Sequence, residues 1–148
     1  MDSSGGHLAT LATLAEQYIG DGEPPLRGVI SLSGVYNLER LRQQPVVGHY
    51  WYISPAFGTD DEILHDASPL SHARETCVPF LLLNAKHDFH LNRDSQELTE
   101  SLQNKGVEVE HVTFNKYNHL SIISTMGRGI SDEVTPLISD WINRHLWV

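Results

Sequence analysis

The chain has 148 residues, 40% apolar and 20% charged, with a formal net charge of −9 at pH 7. These values describe one folded domain rather than a disordered segment. The acidic balance excludes the clustered Lys and Arg of a nucleic-acid or anionic-membrane surface. A single cysteine excludes an internal disulfide and fits a reducing, cytoplasmic setting. No basic leader opens the sequence, and no apolar run reaches the ~18 residues of a membrane span.

The first nine residues, Met1-Asp2-Ser3-Ser4-Gly5-Gly6-His7-Leu8-Ala9, set a serine two positions before a glycine at the start of a helical pattern. That is the spacing of a G-x-S-x-G nucleophile elbow, with Met1 standing where the first glycine belongs. Ser3 would then carry the nucleophilic hydroxyl. The backbone N–H of Ser4 would point at a developing oxyanion, at a helix N-terminus that favours negative charge. Ser4 is the rival hydroxyl, but only Ser3 has the required spacing to Gly5. The same residues also read as a plain helix N-cap, because Asp2, Ser3 and Ser4 are all capping types.

Residues 4–19 read as a helix with Leu8, Leu11, Leu14 or Ala15, and Tyr18 inward, and with Ala9, Ala12 and Ala15 suited to close packing on a sheet. Gly20-Asp21-Gly22 and Pro24-Pro25 end it. Residues 26–34 hold a short β-branched centre, Val29-Ile30-Ser31-Leu32, that reads as a buried strand. Residues 35–70 are too long for a plain connection and predict one or two short helices in a lid-like excursion, with Tyr50-Trp51-Tyr52 as core or pocket wall. Residues 79–85 form the clearest strand, a continuous apolar run of the kind a doubly covered parallel sheet uses. Cys77, just before it, reads as a buried structural thiol.

Residues 88–92 read as a loop and 94–104 as a helix with Leu98 and Leu102 inward, closed by Gly106. Residues 107–114 alternate through Val107, Val109, Val112 and Phe114 as a third strand, followed by a loop over 115–118. A final amphipathic helix carries Val134, Leu137, Ile138, Trp141, Ile142 and Leu146. Strands alternating with helices predict an α/β fold: a parallel sheet of about three strands with flanking helices. Ligands of such sheets bind beyond the carboxyl ends of the strands. Asp88 and His119 each stand just past such an end.

Asp88 also reads as an Asx-turn residue and His119 as a loop histidine beside the turn-prone Asn118. His87-x-x-His90 with Asp88 gives too few ligands for a zinc site, so neither metal nor cofactor is expected.

Ser3, Asp88 and His119 follow the chain order Ser, Asp, His. With Asp2-Ser3-Ser4-Gly5-Gly6-His7-Leu8-Ala9, Ser68-Pro69-Leu70, Leu83-Asn84-Ala85-Lys86-His87-Asp88 and Tyr117-Asn118-His119, the chain resembles the α/β-hydrolase superfamily. Within it, the likeness is to the carboxylesterase branch of hormone-sensitive-lipase-like and kynurenine formamidase-like enzymes. The resemblance covers residues 1–148 but only the C-terminal half of the family's fold, from the elbow helix onward. It implies a serine hydrolase of carboxylic esters or small amides, with Ser3 attacking the acyl carbon, His119 moving the proton and Asp88 orienting His119.

The resemblance also implies a strand bracing the elbow and a second oxyanion donor from a His/Gly-rich loop, and no stretch here matches either. A truncated product with impaired activity is therefore expected. The alternative is a catalytically silent α/β module that binds a partner, or a second copy of itself, through the open edge of strand 29–32.

Overall fold

The computed structural model describes residues 2–20, 25–44, 53–129 and 131–146. Helix α1 (Asp2–Leu14) and α2 (Glu16–Ile19) lead into strand β1 (Val29–Leu32). Among the described residues there follow the short helices α3 (Leu38–Arg42), α4 (Ile53–Phe57) and α5 (Asp61–Asp66), then a 3₁₀ turn, Pro69–His72. Strand β2 (Phe80–His87), α6 (Leu91–Gln103), β3 (Val109–Asn118), α7 (Ser121–Ser124) and α8 (Val134–Leu146) complete the order.

The sheet is parallel with strand order β1-β2-β3, which is the expected α/β architecture. β2 is its centre. Phe80, Leu81, Leu82, Leu83, Asn84 and Ala85 are fully buried, as a strand between two neighbours and two helix layers must be. Phe80 and Leu82 pack with Leu14 of α1 and with Leu98 and Leu102 of α6. Leu81, Leu83 and Ala85 pack on the opposite face with Ile122, Val134 and Trp141. Each buried leucine contributes about 1.5–3 kcal/mol of apolar burial, so the middle of this strand anchors both layers. On β3, Val109 joins the first layer while Phe114 joins the second. The strand is covered on both sides rather than presenting one alternating apolar face.

The expected helix over 4–19 is two helices. Ala15 is extended between them, with φ −80° and ψ 115°. Arg74, sixty residues away, donates from Nε to the Leu14 carbonyl at 3.1 Å, so a tertiary contact supplies a partner at the end of α1. The inward face holds Leu11, Leu14 and Ala15 as expected but not Leu8 or Tyr18. Leu8 is 62% and Tyr18 60% exposed, while His7, Thr10, Leu11, Thr13, Leu14 and Ala15 are buried.

The reason is a close approach of α1 to β1. A Cβ on Gly6 would lie 2.1 Å from Ser31 Oγ and 3.0 Å from Gly34 Cα, leaving no room there for a side chain. Ala9 and Ala12, expected to serve close packing, face outward. Tyr36 donates to Ser31 Oγ at 2.6 Å, and His7 donates from Nε2 to the Ala67 carbonyl at 2.7 Å.

Among its described residues, the excursion over 35–70 holds three short α-helices around a satellite core of Val35, Leu38, Leu41, Ile53, Leu64 and Leu91. Tyr50-Trp51-Tyr52 lies outside the described residues. Cys77 is exposed rather than buried. Its neighbours Thr76 and Val78 turn inward instead.

Gly6→Ala should destabilise the domain by about 1–3 kcal/mol in urea denaturation, because Ser31 is held by Tyr36 and cannot yield. Gly5→Ala, with nothing within 4 Å, should be neutral or stabilising by up to about 1 kcal/mol through helix propensity. Equal effects at the two positions would contradict the close α1–β1 packing.

Candidate active site

β2 and β3 run side by side beyond the length expected from the sequence. The residues over 115–118 read as a loop but are strand, because pairing continues to His87↔Asn118 after an irregularity between Ala85 and His87. The His119 N–H then donates to the His87 carbonyl at 3.2 Å. Asp88 follows His87 and His119 follows Asn118, so the last rung of the sheet sets these two residues abreast.

The side chains complete the pair. His119 Nδ1 and Asp88 Oδ1 share a hydrogen bond. The carboxylate can only accept, so the imidazole donates from Nδ1 and leaves Nε2 as its accepting nitrogen. Asp88 is 1% exposed, whereas the His119 side chain is 16% exposed. Among the described residues, Nε2 has no hydrogen-bond partner. Asn118 fixes the loop beneath, its Oδ1 accepting from Leu120 N–H at 3.0 Å and Ser121 N–H at 2.9 Å. The Phe89 ring stands edge-on to the imidazole, with centroids 5.3 Å apart.

The loop after Asp88 is strained. Phe89 and His90 have φ of 47° and 64°, left-handed values that cost an L-residue about 1–2 kcal/mol each. The Leu91 N–H donates to the Asp88 carbonyl at 2.7 Å, and Gln44 donates from Nε2 to the Phe89 carbonyl at 2.7 Å. α6 starts at Leu91, three residues earlier than expected. Asp88 is thereby held between the end of β2 and the start of α6.

Ser3 lies in the first turn of α1 and is half-buried. Its carbonyl accepts from the Val35 N–H at 3.4 Å, beside the segment leaving β1. Ser4 is exposed in the same turn, where N–H groups lack intrahelical acceptors. The structure thus joins Asp88 to His119, while no hydrogen bond links the Ser3 hydroxyl to His119.

Two further residues belong to the constellation and carried no role in the sequence reading. Asn84 donates from Nδ2 to Asp88 Oδ2 at 3.1 Å, and His111 Nε2 lies 3.2 Å from Asn84 Oδ1. The signal for Asn84 was its place as the polar residue inside an apolar run. Tyr36, fully buried, has its phenol pushed well up by burial, with the Asp88 charge adding to the rise.

His87 and His90, flanking Asp88, are exposed. A different trio, Glu108, Glu110 and His145, brings its ligand atoms within 4.8 Å of one another. These atoms are already engaged in docking α8 on β3. Arg144 binds both Glu110 oxygens at 2.6 and 3.0 Å, and His145 bonds Glu108 at 3.0 Å and the Trp141 carbonyl at 2.7 Å.

Residues 3–147 match the prolyl oligopeptidase family. The chain belongs to that family. Among solved structures, Pyrococcus horikoshii acylaminoacyl peptidase superposes with a TM-score of 0.77 at 19% identity, covering 97% of this chain and 23% of that one. A hormone-sensitive lipase from a metagenome library gives 0.70 at 22% identity, covering 97% and 52%. The acetyl ester-xyloside bifunctional hydrolase of Caldicellulosiruptor lactoaceticus gives 0.72 at 19%, covering 97% and 54%.

The fold is that of the α/β-hydrolases, as the resemblance implied, with a hormone-sensitive lipase among the neighbours. The prolyl oligopeptidase family was not singled out by the motifs. The chain spans about a quarter of the length of the acylaminoacyl peptidase and about half that of the two esterase-like hydrolases. No curated protein matches it. Among the described residues, no helix is long and apolar enough to cross a membrane.

His90→Gly should raise stability by about 0.5–1 kcal/mol, read as a higher urea midpoint. Glycine adopts the left-handed backbone freely, and the exposed His90 side chain makes no cap hydrogen bond. A lower midpoint would mean that the His90 side chain contributes more than its backbone costs.

Proposed function

We propose that this prolyl oligopeptidase-family chain carries the nucleophile, base and acid of a serine hydrolase acting on carboxylic esters or small amides. The observation that carries the reading is the hydrogen bond from His119 Nδ1 to the buried Asp88 carboxylate. It holds the imidazole in the tautomer whose Nε2 accepts a proton, the form a general base requires. Ser3 supplies the hydroxyl, from the first turn of a helix that Gly6 allows to sit tightly on β1.

In this mechanism Ser3 Oγ attacks the acyl carbon as its proton passes to His119 Nε2. Asp88 stabilises the imidazolium so formed. The backbone N–H of Ser4 donates to the oxyanion. Collapse of the tetrahedral intermediate returns the proton from Nε2 to the leaving alcohol or amine, giving an acyl-Ser3 ester. Water then attacks that ester, with His119 again taking and returning the proton.

The second oxyanion donor of the α/β-hydrolases, from a His/Gly-rich loop, has no matching stretch in the 148 residues. Loss of one such donor lowers rate by roughly a hundredfold or more. The 148-residue chain should therefore turn over a short-chain nitrophenyl ester slowly. Ser3→Ala should abolish that turnover and Ser4→Ala should largely spare it, since Ser4 acts through its backbone. Turnover that survives Ser3→Ala would defeat the assignment.

A further inference from the structure

Asn84 is the polar residue inside the apolar run over 80–85, and it is fully buried there. A buried amide is unfavourable unless its hydrogen bonds are made. Both ends of this one are engaged. Its Nδ2 lies 3.1 Å from Asp88 Oδ2 and its Oδ1 lies 3.2 Å from His111 Nε2.

The chemistry of the partners fixes the direction of each bond. The Asp88 carboxylate has no proton to give, so the Asn84 amide group must face it. Asn84 Oδ1 is then turned toward β3 and can only accept, so His111 must carry its proton on Nε2. Burial holds the His111 imidazole below its ordinary pKa, which favours the neutral ring this arrangement uses. The four side chains form one directed series. His111 donates to Asn84, Asn84 donates to Asp88 Oδ2, and His119 donates to Asp88 Oδ1.

A carboxylate held by one partner can turn about its terminal torsion, which is broad. A second donor on the other oxygen sets its plane. The geometry points to Asn84, with His111 behind it, as the positioning residue of the Asp88–His119 pair: it holds Asp88 Oδ2 so that Oδ1 is presented to His119. The backbone sets the same chain up. Asn84 lies on the β2 face that also carries Phe80 and Leu82. His111 lies opposite Leu82 in the β2–β3 register, one diagonal step from Asn84. The inference rests on the reading of Asp88 and His119 as the acid and base of the proposed hydrolase, but its test requires no turnover.

Nitrogen-15 NMR of the imidazoles in the intact chain reports each tautomer. His111 should be protonated on Nε2 and His119 on Nδ1. In Asn84→Leu, which keeps the volume and removes both polar ends, the His119 Nδ1 proton should exchange with water about tenfold faster, as one lost hydrogen bond implies. Protection of the Leu81 to Leu83 amides should be unchanged. His111→Gln, which keeps a donor, should retain slow exchange better than His111→Leu. If Asn84→Leu does not fold, the wild-type tautomers and the two His111 variants decide the matter.

The proposal is overturned by a His111 ring protonated on Nδ1 alone. A folded Asn84→Leu with wild-type His119 exchange, or equal exchange in the two His111 variants, would also overturn it. A His119 protonated on Nε2 alone would instead sink the proposed function. A failure of Ser3→Ala to abolish turnover would leave the Asn84 result standing.

Discussion

The parallel pairing of β2 with β3 through to its last rung, His87 with Asn118, is the constraint on which the site depends. Two residues separated by 31 positions can share a hydrogen bond only if the strands delivering them end level. The levelling comes from the core below. Leu81 and Leu83 are locked into one helix layer and Phe80 and Leu82 into the other. A slip of one residue would move each set to the opposite layer, where the close packing it meets is shaped for the other set. The register that buries the leucines is therefore the register that places Asp88 beside His119.

Ser3 is positioned by different physics. Its helix sits close on β1 because Gly6 carries no side chain, and the His7–Ala67 hydrogen bond ties it to the segment after α5. These contacts tie α1 to β1 and to the segment after α5, not to β3. The Asp88–His119 pair and Ser3, the proposed nucleophile, thus stand on separate supports. Among the described residues β1 pairs with β2 alone. The support under Ser3 is therefore a helix on β1, whereas Asp88 follows the central strand β2 and His119 follows β3, the other outer strand among the described residues.

Much of this was legible in the sequence where one physical requirement dominates. The apolar run over 80–85 reads as a doubly covered strand, and Asp88 and His119 each stand just past a strand end, where the structure brings them together. Legibility failed where tertiary contacts override local signals. Asn115-Lys116-Tyr117-Asn118 has the composition of a loop, yet pairing with the end of β2 keeps it in the sheet. Leucine spacing gave only part of the inward face of α1, Leu11 and Leu14, because close approach to β1 selects Gly6 and buries threonines in place of Leu8. Cys77 looked buried because it precedes a core strand, but the chain there alternates and sends Thr76 and Val78 inward instead. Asn84 was visible as an anomaly in its strand. Its partners were not, because His111 and Asp88 meet it only through the register.

The most direct measurement of the central claim is a double-mutant cycle on unfolding free energy, with Asp88→Asn, His119→Gln and the double variant in urea. The shared hydrogen bond predicts a coupling energy of about 1.5–3 kcal/mol between the two positions, the range for a bond to a charged group. Additive effects, with coupling below about 0.3 kcal/mol, would mean that the sheet does not bring Asp88 and His119 into contact, and the account built on that contact would fail.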